Sequence, residues 1–185
     1  MPKDTTDLDR RISQRLHRVE TGLVHAAHVD DVSWQVQAIF RANEALAVDG
    51  GTLQDWLGRL YVDSVTIALR RQADQRKGVV SLWRLLEMMK GAAPLLTKAR
   101  YVELHDNDVH HRRAAASHWD RGVAPRHDAI PRPRLKAKQD ELRSLSHVSR
   151  YANEYVAHAA GDPRDVKMTF EDVRRAKATA FRVFR

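Results

Sequence analysis

Apolar residues recur every three or four positions along most of this chain, which is helical spacing. From the start, Leu8, Ile12, Leu16, Val19 and Leu23 form one stripe, and Arg10, Arg11, Arg15 and Arg18 fill the other face. A second segment is expected from about Asp31 to Val48, carrying Trp34, Val36, Ile39, Phe40, Ala45 and Leu46. Gly50-Gly51 punctuates the chain there. Thr52 can cap a third helix, with Asp55 in its first turn. That helix carries Trp56, Leu57, Leu60, Tyr61, Val65, Ile67, Ala68 and Leu69. Apolar on most sides, it is expected at the centre of a bundle. Gly78 precedes a fourth helix over Leu82–Met89, with Ser81 as its cap, and Pro94 can start a fifth near Leu95–Tyr101.

The stretch from Asp106 to Arg134 breaks the pattern. Counting from His105 it holds five of the ten histidines: His105, His110, His111, His118 and His127. Ala114–Trp119 suits a short helix, and residues 121–134, with Pro125, Pro131 and Pro133, read as a basic loop. Periodicity resumes from Leu135 to about Ala160, as one long helix with the stripe Leu142, Leu145, Val148, Ala152, Val156 and Ala159. That helix is expected to pack on the Thr52–Arg76 helix. Gly161-Asp162-Pro163 should stop it. Thr169–Asp172 resembles a capping box that opens the last helix, which carries Phe170, Val173, Ala176, Ala180, Phe181 and Phe184. The expected fold is all-α, an up-down bundle of about five to seven helices in a single domain over residues 1–185. The four Trp, spread over four segments, read as packing residues.

Composition narrows the function classes. With 185 residues and 43% hydrophobic content the chain can build a core. Its 8 Gly and 6 Pro are few for a fold full of tight turns. It has no Cys, which excludes disulfides, thiolate catalysis and Cys-based zinc sites. Lys and Arg number 32 against 24 Asp and Glu, a net charge of +8, which favours an anionic partner, nucleic acid above all. No apolar run approaches the roughly 18 residues of a membrane span, and no leader pattern opens the chain, so a soluble cytoplasmic protein is expected. No phosphate-binding Gly-rich loop, nucleophile elbow, helix-turn-helix or long heptad seam is found. His110, His111 and His118 suggest a metal, but no dedicated ligand spacing occurs, and neither metal nor cofactor is expected.

The most informative segment is Arg150–His158. On an ideal α-helix His147, Tyr151, Glu154 and His158 share a stripe opposite the apolar one, with Arg150 at its border. A His on such a face can move protons near neutral pH, and an Arg can hold phosphate. Arg70, Arg71 and Asp74 make a second cluster, in which Arg70 and Asp74 have the spacing of a helical ion pair. A structural ion pair is the plain reading of this cluster, and the functional one is an arginine that faces an RNA phosphate or the His158 cleft.

Asn153-Glu154-Tyr155-Val156-Ala157-His158 resembles the R-N-x-x-x-A-H signature of HEPN domains, the higher eukaryotes and prokaryotes nucleotide-binding superfamily. Tyr61–Asp74 followed by Val80–Leu86 is similar to the bacterial abortive-infection U type of that superfamily, and the likeness runs from about residue 30 to the end. The resemblance implies an all-α bundle, usually homodimeric, in which active members are metal-independent endoribonucleases of anti-phage or toxin-type systems. Carried over by position, His158 is the acid/base and Asn153 the polar residue of the motif. Ala152 stands where the active pattern has Arg. Arg150 is the nearest substitute, about 80° in azimuth and about 12 Å along an ideal helix from His158. His147, Tyr151, Arg70 and Arg71 are the expected nucleic-acid contacts. Two other classes remain open: a non-catalytic module of the same fold binding RNA, nucleotide or a protein partner, and an antitoxin-like or assembly subunit whose basic surface meets an acidic partner.

Overall fold

A computed structural model describes residues 5–43, 45–46, 51–105, 108–157 and 168–185. The described residues form an all-α bundle with no β-strand. The first expected helix and the greater part of the second, as far as Ala42, are one, while the end of the second, at Val48, lies outside the described residues. Helix α1 spans Thr5–Ala42, because nothing in Val24–Asp30 interrupts it. At 1.5 Å per residue it is about 57 Å long. Leu8, Val19, Leu23, Ala26 and Phe40 are its buried positions.

Helix α2, Gly51–Ala73, lies along α1. It already includes Thr52, so Thr52 is a first-turn residue and not the cap. It is also not buried on most sides. Tyr61, Val62, Val65, Thr66, Leu69 and Gln72 face the core, whereas Leu53, Trp56 and Leu60 are exposed. Two of the four Trp, Trp34 and Trp56, therefore lie at the surface, and only Trp83 and Trp119 are buried.

Ser81 caps α3, Leu82–Gly91, by accepting from the Arg84 amide at 3.1 Å. The same hydroxyl donates to the Asp74 carbonyl at 2.6 Å and ties α3 to the end of α2. Pro94 begins no helix. It sits in a 3-10 turn, Ala93–Leu95, and Thr97 instead caps α4, Lys98–Glu103. Asp108 caps α5, Val109–His118, which runs into a π turn at Trp119–Val123.

The basic loop is shorter than residues 121–134. Its start lies in that π turn, and Arg132–Arg134 already belong to α6, Arg132–Arg143. Trp119, 1% exposed, pins the loop by donating from Nε1 to the His127 carbonyl at 2.8 Å. A single bridge between Thr97 and Ala129 holds the loop against α4.

The long helix expected over Leu135–Ala160 is broken. Helix α6 ends at Arg143, and α7, Ser146–Tyr151, starts after a tight turn. At that turn the Ser144 and Leu145 amides bond carbonyls three residues back, and the Ser144 hydroxyl donates to the Glu141 carbonyl at 2.7 Å. A hydroxyl that satisfies a helix carbonyl competes with the next helical bond. Leu145, 1% exposed, fills the core at the corner. After α7 the chain widens into a π-helical segment, Ala152–Ala157. Only α7 and this segment pack on α2, whereas α6 packs on α3 and on the last helix. The end of the expected helix and its Gly-Asp-Pro stop lie outside the described residues.

Helix α8, Phe170–Phe184, opens with the expected capping box between Thr169 and Asp172. Val173, Ala176, Ala180 and Val183 bury its inner face. Two polar ties lock the layers. Gln139, buried on α6, donates to Glu87 at 2.8 Å and accepts from Lys90 at 3.0 Å. Lys138 donates to the Val183 carbonyl at 2.7 Å at the end of α8. Burial pushes its ammonium below the usual lysine range. Among the described residues, no buried side-chain nitrogen or oxygen lacks a partner.

Candidate functional site

The end of α2, the α6–α7 corner and the π segment enclose an open cavity of about 720 Å³. Arg70, Arg76, Arg143 and Arg150 line it together with Asp74, Asn153 and Glu154. Helix α2 delivers Arg70, and Asp74 directly after it, because its last turn projects past the core residue Leu69. The corner at Ser144–Leu145 delivers Arg143 from one side and Arg150 from the other. A straight helix over the same residues would carry those two arginines about 10.5 Å apart along one axis.

The charges in this cavity are unequally engaged. Arg76 grips Asp74, with Nη2 to Oδ2 at 2.6 Å and Nε to both oxygens at 3.0 and 3.1 Å. That bond, assisted by the more distant charge of Arg70, holds the Asp74 carboxyl below its ordinary range. The ion pair inferred between Arg70 and Asp74 is thus replaced by Arg76–Asp74. Arg143 bonds Asp140 and lies over the Trp83 ring at 5.2 Å. Arg70 and Arg150 make no ion pair among the described residues. With Asp74 matched by Arg76 and Arg143 engaged by Asp140, two uncommitted cations, Arg70 and Arg150, face the one remaining carboxylate, Glu154, so the cavity suits an anion.

Of the residues singled out in the sequence, Arg70, Arg150 and Asn153 meet here. Arg71 is exposed elsewhere on α2. His147 is exposed, with Nδ1 3.0 Å from the Ser144 carbonyl. Tyr151 turns away, donating to Asp63 Oδ1 at 3.2 Å and stacking on Tyr155 with centroids 5.2 Å apart. Burial, with Asp63 beside it, pushes the Tyr151 phenol up to about 12. The stripe of His147, Tyr151 and Glu154 therefore splits, because the three side chains face three different surroundings and α-phase ends at Ala152. His158 lies outside the described residues. Ala152 is 1% exposed and packed inside, as its place on the apolar stripe implies.

The sequence reading missed Arg143 and Arg76. Arg143 was hidden because a continuous helix was expected through Ser144. Arg76 was hidden because it follows the end of α2, where an i, i+4 search does not reach. The π segment was not legible either, although such segments are frequent at functional sites.

The histidine-rich region forms a separate cluster. The Tyr101 hydroxyl and His118 Nδ1 are 2.7 Å apart, and His105 lies against the Tyr101 ring at 4.5 Å. His111 Nδ1 is 2.8 Å from Asp108 Oδ2. Among the described residues, no three His, Asp or Glu side chains gather in a way that would hold a metal ion. No described helix is long and apolar enough to cross a membrane.

Compared with protein-family models, curated proteins and solved structures, the chain matches none.

Proposed function

We propose that this chain is a HEPN-like cytoplasmic protein of an anti-phage or toxin-type system that acts on RNA. One observation carries the reading: Arg70, Arg143, Arg150 and Asn153 converge on one open cavity at the π segment, which contains Asn153–Ala157 of the motif-like stretch. Arginine is suited to phosphate because its planar fork donates two parallel hydrogen bonds. In the catalytic form of the proposal, His158 draws the proton from a ribose 2′-OH. The freed oxygen attacks the adjacent phosphorus, the bond to the 5′-oxygen breaks as the protonated His158 returns its proton to that oxygen, and a 2′,3′-cyclic phosphate remains. Arg150 neutralises charge on the phosphorane, and Asn153 orients a phosphate oxygen.

A second reading rests on Ala152. A position buried to 1% exposure admits no arginine without repacking, so the usual cation of the motif has no room there. This favours a non-catalytic module that holds RNA, nucleotide or a protein partner in the same cavity. Homodimerisation belongs to both readings. It is supported by an exposed apolar groove between α1 and α2, lined by Val29, Val32, Val36, Leu57 and Leu60.

The deciding experiment incubates the protein with total RNA in EDTA and analyses the ends. Cleavage to cyclic phosphate establishes the enzyme. Intact RNA with tight, salt-sensitive binding establishes the module, and no binding at low salt removes both RNA readings.

A further inference from the structure

A second cleft opens on the other flank of the α2–α7 contact. Gln37, Gln54, Asp55, Arg59, Tyr151 and Phe170 line it, and its volume is about 550 Å³. Phe170 is 48% exposed, although it opens the helix with one of the best-buried inner faces. It is held in that position. Its ring stacks on Tyr61 with centroids 5.4 Å apart and planes 17° from parallel. Gly58 makes room for it, since a Cβ there would stand 3.2 Å from Phe170 Cζ. Tyr151 is equally fixed by Asp63 and Tyr155. Two anchored aromatic side chains thus border one open cleft.

The polar side of the cleft is as specific. Gln54 Nε2 donates to Gln37 Oε1 at 3.1 Å across the α1–α2 seam. That bond leaves the Gln54 oxygen and the Gln37 amide nitrogen for a ligand, a neighbouring acceptor and donor such as read a base edge. Arg59 stands at the rim and makes no ion pair among the described residues. Along α2, Arg59 and Arg70 are eleven residues apart, about 16 Å along the axis and about 20° in azimuth, so both stand on one face of the helix.

We propose that this cleft is a base-binding subsite for single-stranded RNA. This rests on the reading that the Arg70–Arg150 cavity holds RNA phosphate. An unpaired base enters beside Phe170, the two glutamine amides bond its edge, and Arg59 meets the phosphate that follows. Stacking on an aromatic ring tolerates every base, and the amide pair adds preference among them.

The test measures affinity by fluorescence anisotropy for two probes: an eight-nucleotide oligoadenylate and an abasic ribose-phosphate octamer of the same charge. Wild type should prefer the oligoadenylate by about tenfold. Phe170→Leu, which keeps apolar bulk over Tyr61, and Gln54→Ala should each shrink that preference to about twofold without changing affinity for the abasic probe. Arg150→Ala should weaken both probes together. Equal wild-type affinity for the two probes overturns the subsite while leaving the RNA reading intact. The subsite is overturned in the same way if both cleft variants, shown folded by unchanged thermal melting, keep the full preference. Failure of wild type to bind either probe at low salt overturns both proposals.

Discussion

Gly22 of α1 lies directly against Gln72 of α2: a Cβ at Gly22 would stand 2.7 Å from the Gln72 amide nitrogen. Gln72 is buried, and its Oε1 accepts from the Leu82 amide at 3.2 Å. One glycine thus lets a side chain from the second helix reach the first turn of the third. Gly22→Ala gains about 1 kcal/mol of helix propensity but displaces Gln72 and strips a buried amide of its partner, at about 1–3 kcal/mol. A net loss of about 1 kcal/mol in denaturant unfolding is expected. In a Gln72→Ala background the same change should become neutral or stabilising. Additive single effects in that double-mutant cycle would contradict the relationship.

Leu145→Ala should cost about 2–5 kcal/mol, because Leu145 fills the core at the α6–α7 corner. A loss below about half a kcal/mol would mean that the corner is not packed as described.

The capping box gives a pH-dependent contribution. Bonds from the Thr169 hydroxyl and amide and from Arg175 hold the Asp172 carboxyl down at about 2. Its folded-state value is below its unfolded one. The stabilisation is therefore present above about pH 4 and is lost as pH falls toward 2. Asp172→Asn should lower stability near neutral pH by about 1 kcal/mol. The gap between variant and wild type in thermal melts should close by pH 2, and a gap that persists there would refute the assignment.

At the alkaline end the order of events reverses. Burial raises the phenols of Tyr61, Tyr101 and Tyr151, aided by Asp30 at Tyr61 and Asp63 at Tyr151. Their folded values lie above their unfolded ones, so their contribution holds below about pH 10 and fades above it. Ultraviolet titration of the folded protein should show the phenolate of Tyr151 forming only near pH 12, and Tyr151→Phe should remove that step. Titration of Tyr61, Tyr101 and Tyr151 near pH 10, without unfolding, would contradict the burial of these rings.

If the chain cleaves RNA, His158→Ala should slow cleavage by roughly 10²–10⁴ and leave affinity within a few-fold. Arg150→Ala separates the two readings of the cavity. As transition-state cation its loss should rival that of His158. As a phosphate contact alone, its loss should weaken binding modestly and lower the salt slope by about one. Arg70→Ala measures the alternative donor in the same assay. Wild-type rates in all three variants would remove the nuclease proposal.

Much of the fold was legible because apolar periodicity and capping chemistry are local. Ser81, Thr169 and the buried stripe of Leu142, Leu145 and Val148 lie where their spacing implies. The turn at Ser144 escaped notice because no Gly or Pro marks it, and the stripe on either side stays in phase with a helix. The exposure of Trp56 escaped for the opposite reason: a side chain's apolarity says what it prefers and not whether another helix arrives to cover it. At the cavity, Arg70 and Arg150 stand out from chemistry and spacing and Asn153 from the motif resemblance, whereas Arg143 needed the bend.

The ion pair between Lys177 and Asp30 joins residues 147 positions apart. On a ribosome adding about 5–20 residues per second, Asp30 waits roughly 7–30 seconds for its partner to be made. For most of that interval α1 can find α2 but not α8, so its stripe stays partly open to water. Slower synthesis of the last helix prolongs that exposure, and it should lower the yield of folded protein.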